Sequence, residues 1–213
     1  MLSRDFSLTW AIPGHIIIVN DIRKEVICMA NVQLDRAIDM IIESYKNGGK
    51  LMVCGNGGSA SDSAHIVGEL VKGFLKKRPL PAEWSEALDG ANLQMGLPAI
   101  DLTAQGAVIA AVVNDLGGEY MYAQQVMAYG NPGDVIIGIS TSGNAKNCEI
   151  ALKAAAVKGV KTIALTGKGG GRMGKIADVL VESSETETYK VQEEHIKLYH
   201  ELCARVEAAF FEV

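Results

Sequence analysis

Two groups of residues in this sequence have side chains suited to proton transfer or metal binding. His65 and Glu69 are four residues apart, which on a helix places both on one face with about 6 Å between their Cβ atoms. Gln192, His195 and His200 lie close together near the end of the chain. Imidazole titrates near neutral pH and is a common zinc ligand. The His–Glu pair could equally be a surface contact, and the later histidines could be packed core residues.

Two glycine-containing segments have the composition of phosphate-binding loops. Gly55-Asn56-Gly57-Gly58-Ser59 follows the apolar run Leu51–Cys54 and precedes a predicted helix. Glycine lets the backbone approach an anion, and the N–H groups of a helix start can bind it. Ser140-Thr141-Ser142-Gly143-Asn144 follows a second predicted strand, and its hydroxyls could surround phosphate oxygens without a lysine. The alternative for each is a turn with a serine cap, with Ser59 and Asp62 forming an imperfect capping box.

Neither loop matches a nucleotide-binding fingerprint well. Gly55, Gly57 and Ala60 formally fit the dinucleotide pattern, but that pattern needs an acidic residue about twenty positions further on. The chain has Lys76-Lys77-Arg78 in that region, and it contains no Gly-Lys-Ser/Thr sequence. We therefore expect neither a nicotinamide or flavin cofactor nor a nucleoside triphosphate.

The elements that must position these residues alternate between strands and helices. Residues 1–20 show no clear period and are left unassigned, and residues 79–97 are predicted to form a surface excursion rich in turn residues. Apolar strands alternating with helices predict an α/β fold with a parallel sheet covered on both faces. Strands are predicted at Leu51–Cys54, Pro98–Leu102, Val135–Ile139, Val160–Leu165 and Val179–Glu182. Helices are predicted from about Asp21 to Lys46, from Ala60, over Ala104–Asn114, from Asn144 to about Lys158, and over Tyr189–Val213.

The composition excludes several classes of function. The chain has 213 residues, 48% of them hydrophobic, and a net charge of −5, which makes a nucleic-acid surface improbable. Apolar runs such as Ala107–Val113 are too short to span a bilayer, and the N-terminus lacks the pattern of a signal peptide. The four cysteines have no paired spacing, so we expect neither disulfides nor a four-thiolate zinc site, and a reducing cytoplasm fits best.

Taken together, these motifs resemble the sugar-isomerase (SIS) fold, and specifically the phosphoheptose isomerase family. The resemblance covers residues 21–213, which we expect to form a single SIS domain. It rests on the glycine loop 54–59, His65 with Glu69, Asn114-Asp115, residues 134–144, Leu165-Thr166-Gly167-Lys168, and Gln192 through His195 to His200. It implies a five-stranded parallel sheet in a flavodoxin-like three-layer sandwich. It also implies a homotetramer that converts sedoheptulose 7-phosphate to glycero-manno-heptose 7-phosphate through an enediol.

The same resemblance implies a role for each site residue. Glu69 and His200 would be the acid–base pair. One zinc ion per subunit would be bound by His65, Glu69, Gln192 and His200. The substrate would be bound by Asn56, Gly57, Gly58, Ser59, Asp115, Ser140, Thr141 and Ser142, with the serines and Thr141 on the phosphate and with Asn56 and Asp115 on the sugar.

The sequence departs from the family pattern at three places. Ala145 replaces a usual serine after the hydroxyl run, and Gly73, beside Lys72, replaces a usual arginine. The stretch 79–97 is longer than usual, which leaves the shape of the site mouth and the identity of the sugar open. Gln192 and His200 are also about 12 Å apart along a straight helix. For both to reach one metal, the helix must start after Gln192 or bend, or one residue must act in a neighbouring subunit.

The alternative function is a non-catalytic SIS protein, either a tetrameric regulator of replication initiation that binds DnaA or a sensor of sugar phosphates. Such regulators lack the acidic residue at the position of Glu69 and the histidine at the position of His200. Sensor domains usually accompany a second domain, for which this chain has no room. The sequence therefore favours the enzyme.

Overall fold

The computed structural model describes residues 19–211, with side chains described from residue 32 onward. The prediction for residues 1–20 therefore falls almost wholly outside the described part. The strands are β1 (Leu51–Cys54), β2 (Ala99–Asp101), β3 (Val135–Ser140), β4 (Lys161–Thr166) and β5 (Val179–Glu182). The helices are α1 (Val19–Lys46), α2 (Gly58–Val71), α3 (Ala82–Ala87), α4 (Gly106–Asp115), α5 (Met121–Tyr129), α6 (Lys146–Val157) and α7 (Thr188–Ala208), with a 3-10 turn at Gly118–Tyr120.

The five strands form one parallel sheet in the order β2-β1-β3-β4-β5. Alternate side chains of each strand enter different cores, because successive strand residues point to opposite faces. Leu51 and Val53 pack with residues of α1, α2 and α7, whereas Met52 and Cys54 pack with residues of α5 and α6. The predicted fold class, a five-stranded parallel sheet with helices on both faces, is confirmed.

The strands lie within a residue or two of their predicted positions, but two helical features differ. The 3-10 turn and α5 were not predicted, since the turn follows Gly117 and begins at Gly118, and one of the residues that α5 buries is the polar Gln125. Helix α7 ends at Ala208, before the predicted end. Residues 79–97 are mostly exposed, as expected, and contain the short helix α3.

The strand order identifies where a ligand would enter. The chain runs from β1 outward to β2 and then crosses back to β3 on the other side of β1, so the two loops that follow β1 and β3 diverge. In open α/β sheets, ligands bind in the crevice outside the carboxyl ends of the strands at such a reversal. Within residues 19–211, no helix combines the length and the apolar character needed to cross a membrane.

Candidate functional site

Both glycine-containing loops lie at this crevice, one after β1 and the other after β3. Gly57, with φ of +58°, ends the first loop, and Gly143, with φ of +65°, lies in the second. Glycine adopts this conformation without strain, which other residues rarely do. A Cβ atom on Gly143 would also overlap the carbonyl oxygen of Gly170 in the loop after β4. The loops after β3 and β4 are therefore so close together at Gly143 that only glycine fits there.

The serine-cap explanation of these loops is wrong. Helix α2 begins at Gly58 with Gly57 at its N-cap and no side-chain cap, so Ser59 lies inside the helix and is buried. Helix α6 has Ala145 at its N-cap, again without a side-chain cap. The predicted capping box of Ser59 and Asp62 is thus absent. These hydroxyls are not used to start either helix.

The hydroxyl run after β3 lies partly open to solvent. Ser140 is the buried last residue of β3, Thr141 is half-buried, and Ser142 is exposed. Ser142 Oγ accepts a hydrogen bond from the N–H of Asn144 at 3.2 Å. Its hydroxyl proton has no protein acceptor among the bonds of the described residues, so it is free to be donated to an anion.

A pair of asparagines joins the first loop to the start of α6. Asn56 Nδ2 donates to Asn147 Oδ1 at 2.9 Å, and Asn147 Nδ2 donates to Asn56 Oδ1 at 2.8 Å. Tyr122 donates its hydroxyl to the carbonyl of Gly55 at 2.5 Å. Sequence analysis missed Asn147 and Tyr122, although Asn147 directly follows the hydroxyl loop. Together these contacts set the width of the crevice between β1 and β3.

The second part of the site is a cluster of His65, Glu69 and His200. Helices α2 and α7 pack against each other and bring the three side chains together. His65 Nε2 lies 3.2 Å from Glu69 Oε1 and 3.4 Å from His200 Nε2. Glu69 Oε2 is buried without a hydrogen-bond partner, and the nearest cation, Lys72 Nζ, is 3.6 Å away. A buried carboxylate oxygen without a donor is costly unless a ligand or ion completes it.

Two further residues, neither of them predicted, lie behind this cluster. Tyr199 is buried, and its hydroxyl is 2.9 Å from His65 Nδ1 and 3.4 Å from Asp62 Oδ1. Burial raises the pKa of Asp62, although the hydrogen bond from Tyr199 and the charge of His65 partly oppose this. Burial, with the nearby Asp62 carboxylate, also raises the pKa of the Tyr199 hydroxyl, which is therefore neutral.

The donor set of the cluster matches what zinc binds, but the arrangement is not a finished metal site. Ligand atoms bound tetrahedrally at about 2.0–2.1 Å from zinc lie about 3.3 Å apart, close to both spacings measured from His65 Nε2. Among the side chains that the structure describes, however, no three His, Cys, Asp or Glu groups are placed to hold one ion. A shared metal would require one of these side chains to rotate.

The remaining predicted residues lie apart from the cluster. Helix α7 is continuous from Thr188, so the alternative in which it starts after Gln192 is wrong. The Gln192 side chain lies directly against Gly58, where any Cβ would overlap it. Asp115 is exposed at the end of α4, where it accepts from Asn114 Nδ2 at 2.7 Å. His195 is fully buried, and burial lowers its pKa, so it stays neutral.

Gly73, one helical turn beyond Glu69, departs from the family pattern and has no space for a side chain, because other parts of the chain surround it. A Cβ atom on Gly73 would lie 2.5 Å from Gln94 Oε1 and 2.6 Å from the carbonyl oxygen of Lys76. Gln94 belongs to the long 79–97 stretch and accepts from the N–H of Gly73 at 2.8 Å. Through Gln94, that stretch is therefore hydrogen-bonded to the chain about one helical turn beyond Glu69.

Comparison with known proteins agrees with this geometry. Residues 17–167 match the SIS domain family. The chain is 40% identical over 181 residues to the phosphoheptose isomerase of Nitratidesulfovibrio vulgaris, covering 84% of this chain and 79% of that one. It is 40% identical over 187 residues to the phosphoheptose isomerase of Aneurinibacillus thermoaerophilus, covering 86% of each. The solved phosphoheptose isomerase of Neisseria gonorrhoeae superimposes with a TM-score of 0.72 at 32% identity, covering 89% of this chain and 91% of that one.

Proposed function

Because the chain belongs to the phosphoheptose isomerase family of SIS-domain proteins, we propose that it is an aldose–ketose isomerase acting on a phosphorylated sugar. The substrate that we assign is sedoheptulose 7-phosphate, and the product is D-glycero-D-manno-heptose 7-phosphate. The observation that carries the mechanism is the buried, unpartnered oxygen of Glu69 in a cluster with the imidazoles of His65 and His200, on the helix that begins at the first glycine loop.

The proposed reaction moves a proton between two adjacent carbons through an enediol. It needs a base for the carbon proton, an acid–base group for the oxygens, and donors for the developing negative charge. Glu69, with an unpartnered carboxylate oxygen, is assigned as the base that takes the carbon proton. His200, which joins the same cluster from α7, is assigned to exchange a proton with the sugar oxygens. The packing of α2 on α7 supports both assignments, because it brings the two side chains to one cluster.

The phosphate of the substrate is assigned to the crevice between β1 and β3. The hydroxyls there come from Ser59, Ser140, Thr141 and Ser142. The backbone of Gly57 and Gly58, which lacks side chains, would let the phosphate come close to the start of α2. Neutral donors at a helix start bind an anion without a lysine. Asn56 is assigned to the sugar side, where Asn147 holds its amide, and Asp115 would have to approach from α4.

Zinc is proposed as the metal of this enzyme, with one ion per subunit bound by His65, Glu69 and His200. Gln192 is the weaker ligand because it packs on Gly58 and lies near the start of α7, before His200 on the same helix. When bound, zinc would polarise the sugar carbonyl and stabilise negative charge on its oxygen. A carboxylate held tightly by the metal is a poorer base, so Glu69 must keep one oxygen free for the proton.

We further propose a homotetramer in the cytoplasm. Helix α4 and the segment after it expose the apolar side chains of Val113, Leu116, Tyr120 and Met127, and the last three line a surface groove. Exposed apolar surfaces of this kind are typical of subunit interfaces. Cys54, Cys148 and Cys203, the cysteines whose side chains the structure describes, are buried thiols, and a reducing compartment keeps thiols in that form. Molar mass by light scattering, compared between wild type and Leu116→Glu, tests the assembly.

The test of function is incubation of the protein with a panel of ketose phosphates that includes sedoheptulose 7-phosphate, with separation of the product isomers. Wild type should convert the heptulose phosphate. Glu69→Gln should lose nearly all turnover while melting near wild type, because an amide keeps the shape but cannot accept the proton. Glu43→Gln, the same change on the exposed face of α1, is the control. Absence of turnover in wild type rejects the proposal and favours a non-catalytic SIS regulator, whereas full turnover in Glu69→Gln rejects the catalytic role of Glu69.

A further inference from the structure

The loop after β4 packs directly on the hydroxyl loop, residues 140–144. A Cβ atom on Gly171, whose φ is +56°, would lie 2.5 Å from the carbonyl oxygen of Gly143 and 2.6 Å from that of Ser142. The N–H of Met173 donates to the carbonyl oxygen of Gly143 at 2.9 Å. The loop after β4 therefore supports the backbone that carries the Ser142 hydroxyl.

Arg172 lies in this supporting loop and connects the hydroxyl loop to the next helix. Its Nη2 donates to the backbone carbonyl oxygen of Asn144 at 2.6 Å, and its Nε donates to Glu149 Oε2 at 2.7 Å. Its own N–H also donates to Asn144 Oδ1 at 3.1 Å. Asn144 is the last residue of the hydroxyl loop, and Glu149 lies in the first turn of α6. Because one acceptor of the guanidinium is a backbone oxygen, this bridge does not depend on the side chain of Asn144.

The bridge lies where a helix cap would otherwise fix the chain. Helix α6 has Ala145 at its N-cap and no side-chain cap. Serine, threonine, aspartate or asparagine at this position usually bonds to an N–H of the first turn. Ala145 has no such group, so the guanidinium holds the junction of loop and helix from outside. A guanidinium presents several N–H donors in a rigid plane, which the ammonium group of a lysine does not.

Glu149 is the end of the bridge on α6. Its carboxylate accepts from Arg172 and also from Lys153 Nζ at 2.6 Å. The hydrogen bonds from Arg172 and Lys153 lower the pKa of Glu149, so the carboxylate is ionised at neutral pH. The two cations share one carboxylate, but in the described part of the chain only Arg172 also bonds to the hydroxyl loop.

We propose that Arg172 is a positioning residue that fixes the hydroxyl loop in the conformation that binds the substrate phosphate. This inference deepens the proposed isomerase function and rests on its assignment of the phosphate to that loop. A loop that is ordered before binding loses less conformational freedom when the anion binds, so its affinity is higher. The bonds of Arg172 go to Asn144 and Glu149 and not to the cluster on α2 and α7, so the bridge acts on phosphate binding and not on proton transfer.

The test compares Arg172→Met and Arg172→Lys with the control Lys153→Met. The control removes an exposed cation from the same carboxylate and leaves the bridge to the hydroxyl loop intact. Titration calorimetry measures the affinity for inorganic phosphate, and Ser142→Ala, measured alongside, identifies the site at which the phosphate binds. Hydrogen exchange of the ligand-free proteins reports local opening of residues 140–146. The values of kcat and KM for the sugar phosphate, and the Tm, are measured on the same proteins.

Arg172→Met should weaken phosphate binding and raise KM by about 10-fold, with faster hydrogen exchange over residues 140–146. The kcat and the Tm should stay near wild type, because the lost ion pair leaves Arg172 more than half exposed and lies away from the cluster. Arg172→Lys keeps the charge but cannot hold both acceptors in the same geometry, so it should resemble Arg172→Met. Lys153→Met should resemble wild type.

Three results overturn the inference: an unchanged phosphate affinity in Arg172→Met, full recovery in Arg172→Lys, and an equal loss in Lys153→Met. The last two would show that positive charge near Glu149, and not the bridge, supports binding. If wild type binds phosphate but isomerises no sugar phosphate, the proposed function fails, whereas phosphate affinity and hydrogen exchange still decide the role of Arg172. If wild type binds neither inorganic phosphate nor a sugar phosphate, the inference is overturned together with the phosphate site.

Discussion

The ion pair between Arg78 and Glu207 connects the ends of the two helices that carry His65, Glu69 and His200. Both side chains are completely buried, and Arg78 Nε donates to Glu207 Oε1 at 2.9 Å. The guanidinium also donates to the carbonyl oxygens of Leu70 at 2.5 Å and Glu69 at 3.0 Å, at the end of α2. Glu207 accepts in addition from three backbone N–H groups, those of Phe74, Leu75 and Lys76.

Replacement of Arg78 by Met should therefore destabilise the protein strongly. Removing one partner of a buried pair costs about 3–5 kcal/mol because the other charge stays buried. The three N–H donors that remain on Glu207 compensate part of its charge, so we expect the lower end, about 3 kcal/mol. For a chain of this length, that corresponds to a fall in Tm of roughly 6–12 °C.

Urea and thermal unfolding of Arg78→Met measure this loss, with Arg205→Met as the matched control. Arg205 is two residues from Glu207 on the same helix, but its ion pairs with Asp35 and Glu201 are exposed, and such pairs contribute about 0–1 kcal/mol. If Arg78→Met and Arg205→Met have the same Tm, burial does not make the Arg78–Glu207 pair contribute more to stability than an exposed pair.

The dependence of stability on acidic pH tests the same ion pair through its other member, Glu207. Burial alone would raise the pKa of Glu207, but the N–H groups of Phe74 and Leu75 and the guanidinium of Arg78 outweigh it and leave the pKa lowered. A carboxyl whose folded pKa is lowered contributes stability above its unfolded pKa of about 4.3 and loses it as the pH falls through the folded value. The stability difference between wild type and Glu207→Gln should thus be full at neutral pH and shrink in acid.

Three further changes test the substrate and metal assignments. Ser142→Ala should weaken the binding of substrate and of inorganic phosphate by about 1.5–3 kcal/mol, while kcat changes less. If titration calorimetry shows an unchanged phosphate affinity, Ser142 is not part of the phosphate site. His200→Asn should abolish isomerisation and copurify with less zinc by elemental analysis, since the amide cannot titrate near pH 7; wild-type turnover in this variant contradicts the catalytic role. Asn147→Ala should raise KM, because it removes the hydrogen-bond partner of the Asn56 amide. The control is Asn144→Ala, because Asn144, in the loop before α6, bonds to Ser142 and Arg172 and not to Asn56.

The sheet could be predicted from the sequence because its strands are short apolar runs bounded by glycine and polar turns. Each of the five predicted strands overlaps an observed one, and Val179–Glu182 was predicted with its observed bounds. Helix α5 was missed because one of its buried residues is Gln125, whose amide donates to the carbonyls of Leu102 and Met121. A buried polar residue weakens the apolar periodicity, since that pattern records only side-chain polarity and not the partners a side chain finds.

The site was predictable where its residues are neighbours in sequence and not where they meet only in the fold. His65 and Glu69 share a helix face, so their spacing already places them together. Tyr199 reaches His65 from 134 residues away, and Arg78 reaches Glu207 from 129 residues away, so no local spacing could reveal either contact. The capping predictions failed for a related reason, because a serine after a glycine loop looks the same in sequence whether it caps the helix or lies inside it.

The two parts of the site are held by different forces, and this division fits the chemistry assigned to them. The phosphate crevice is set by backbone geometry, with glycines at positive φ and a reciprocal amide pair between Asn56 and Asn147. The cluster of His65, Glu69 and His200 is set by side chains on two helices, which the Tyr199 hydrogen bonds and the Arg78–Glu207 pair keep in register. Anion binding tolerates small shifts because charge and dipole act over several ångströms. Proton transfer needs heavy atoms within about 2.6–3.2 Å, and the buried hydrogen bonds of Tyr199 and of the Arg78–Glu207 pair lie beside the cluster to which that chemistry is assigned.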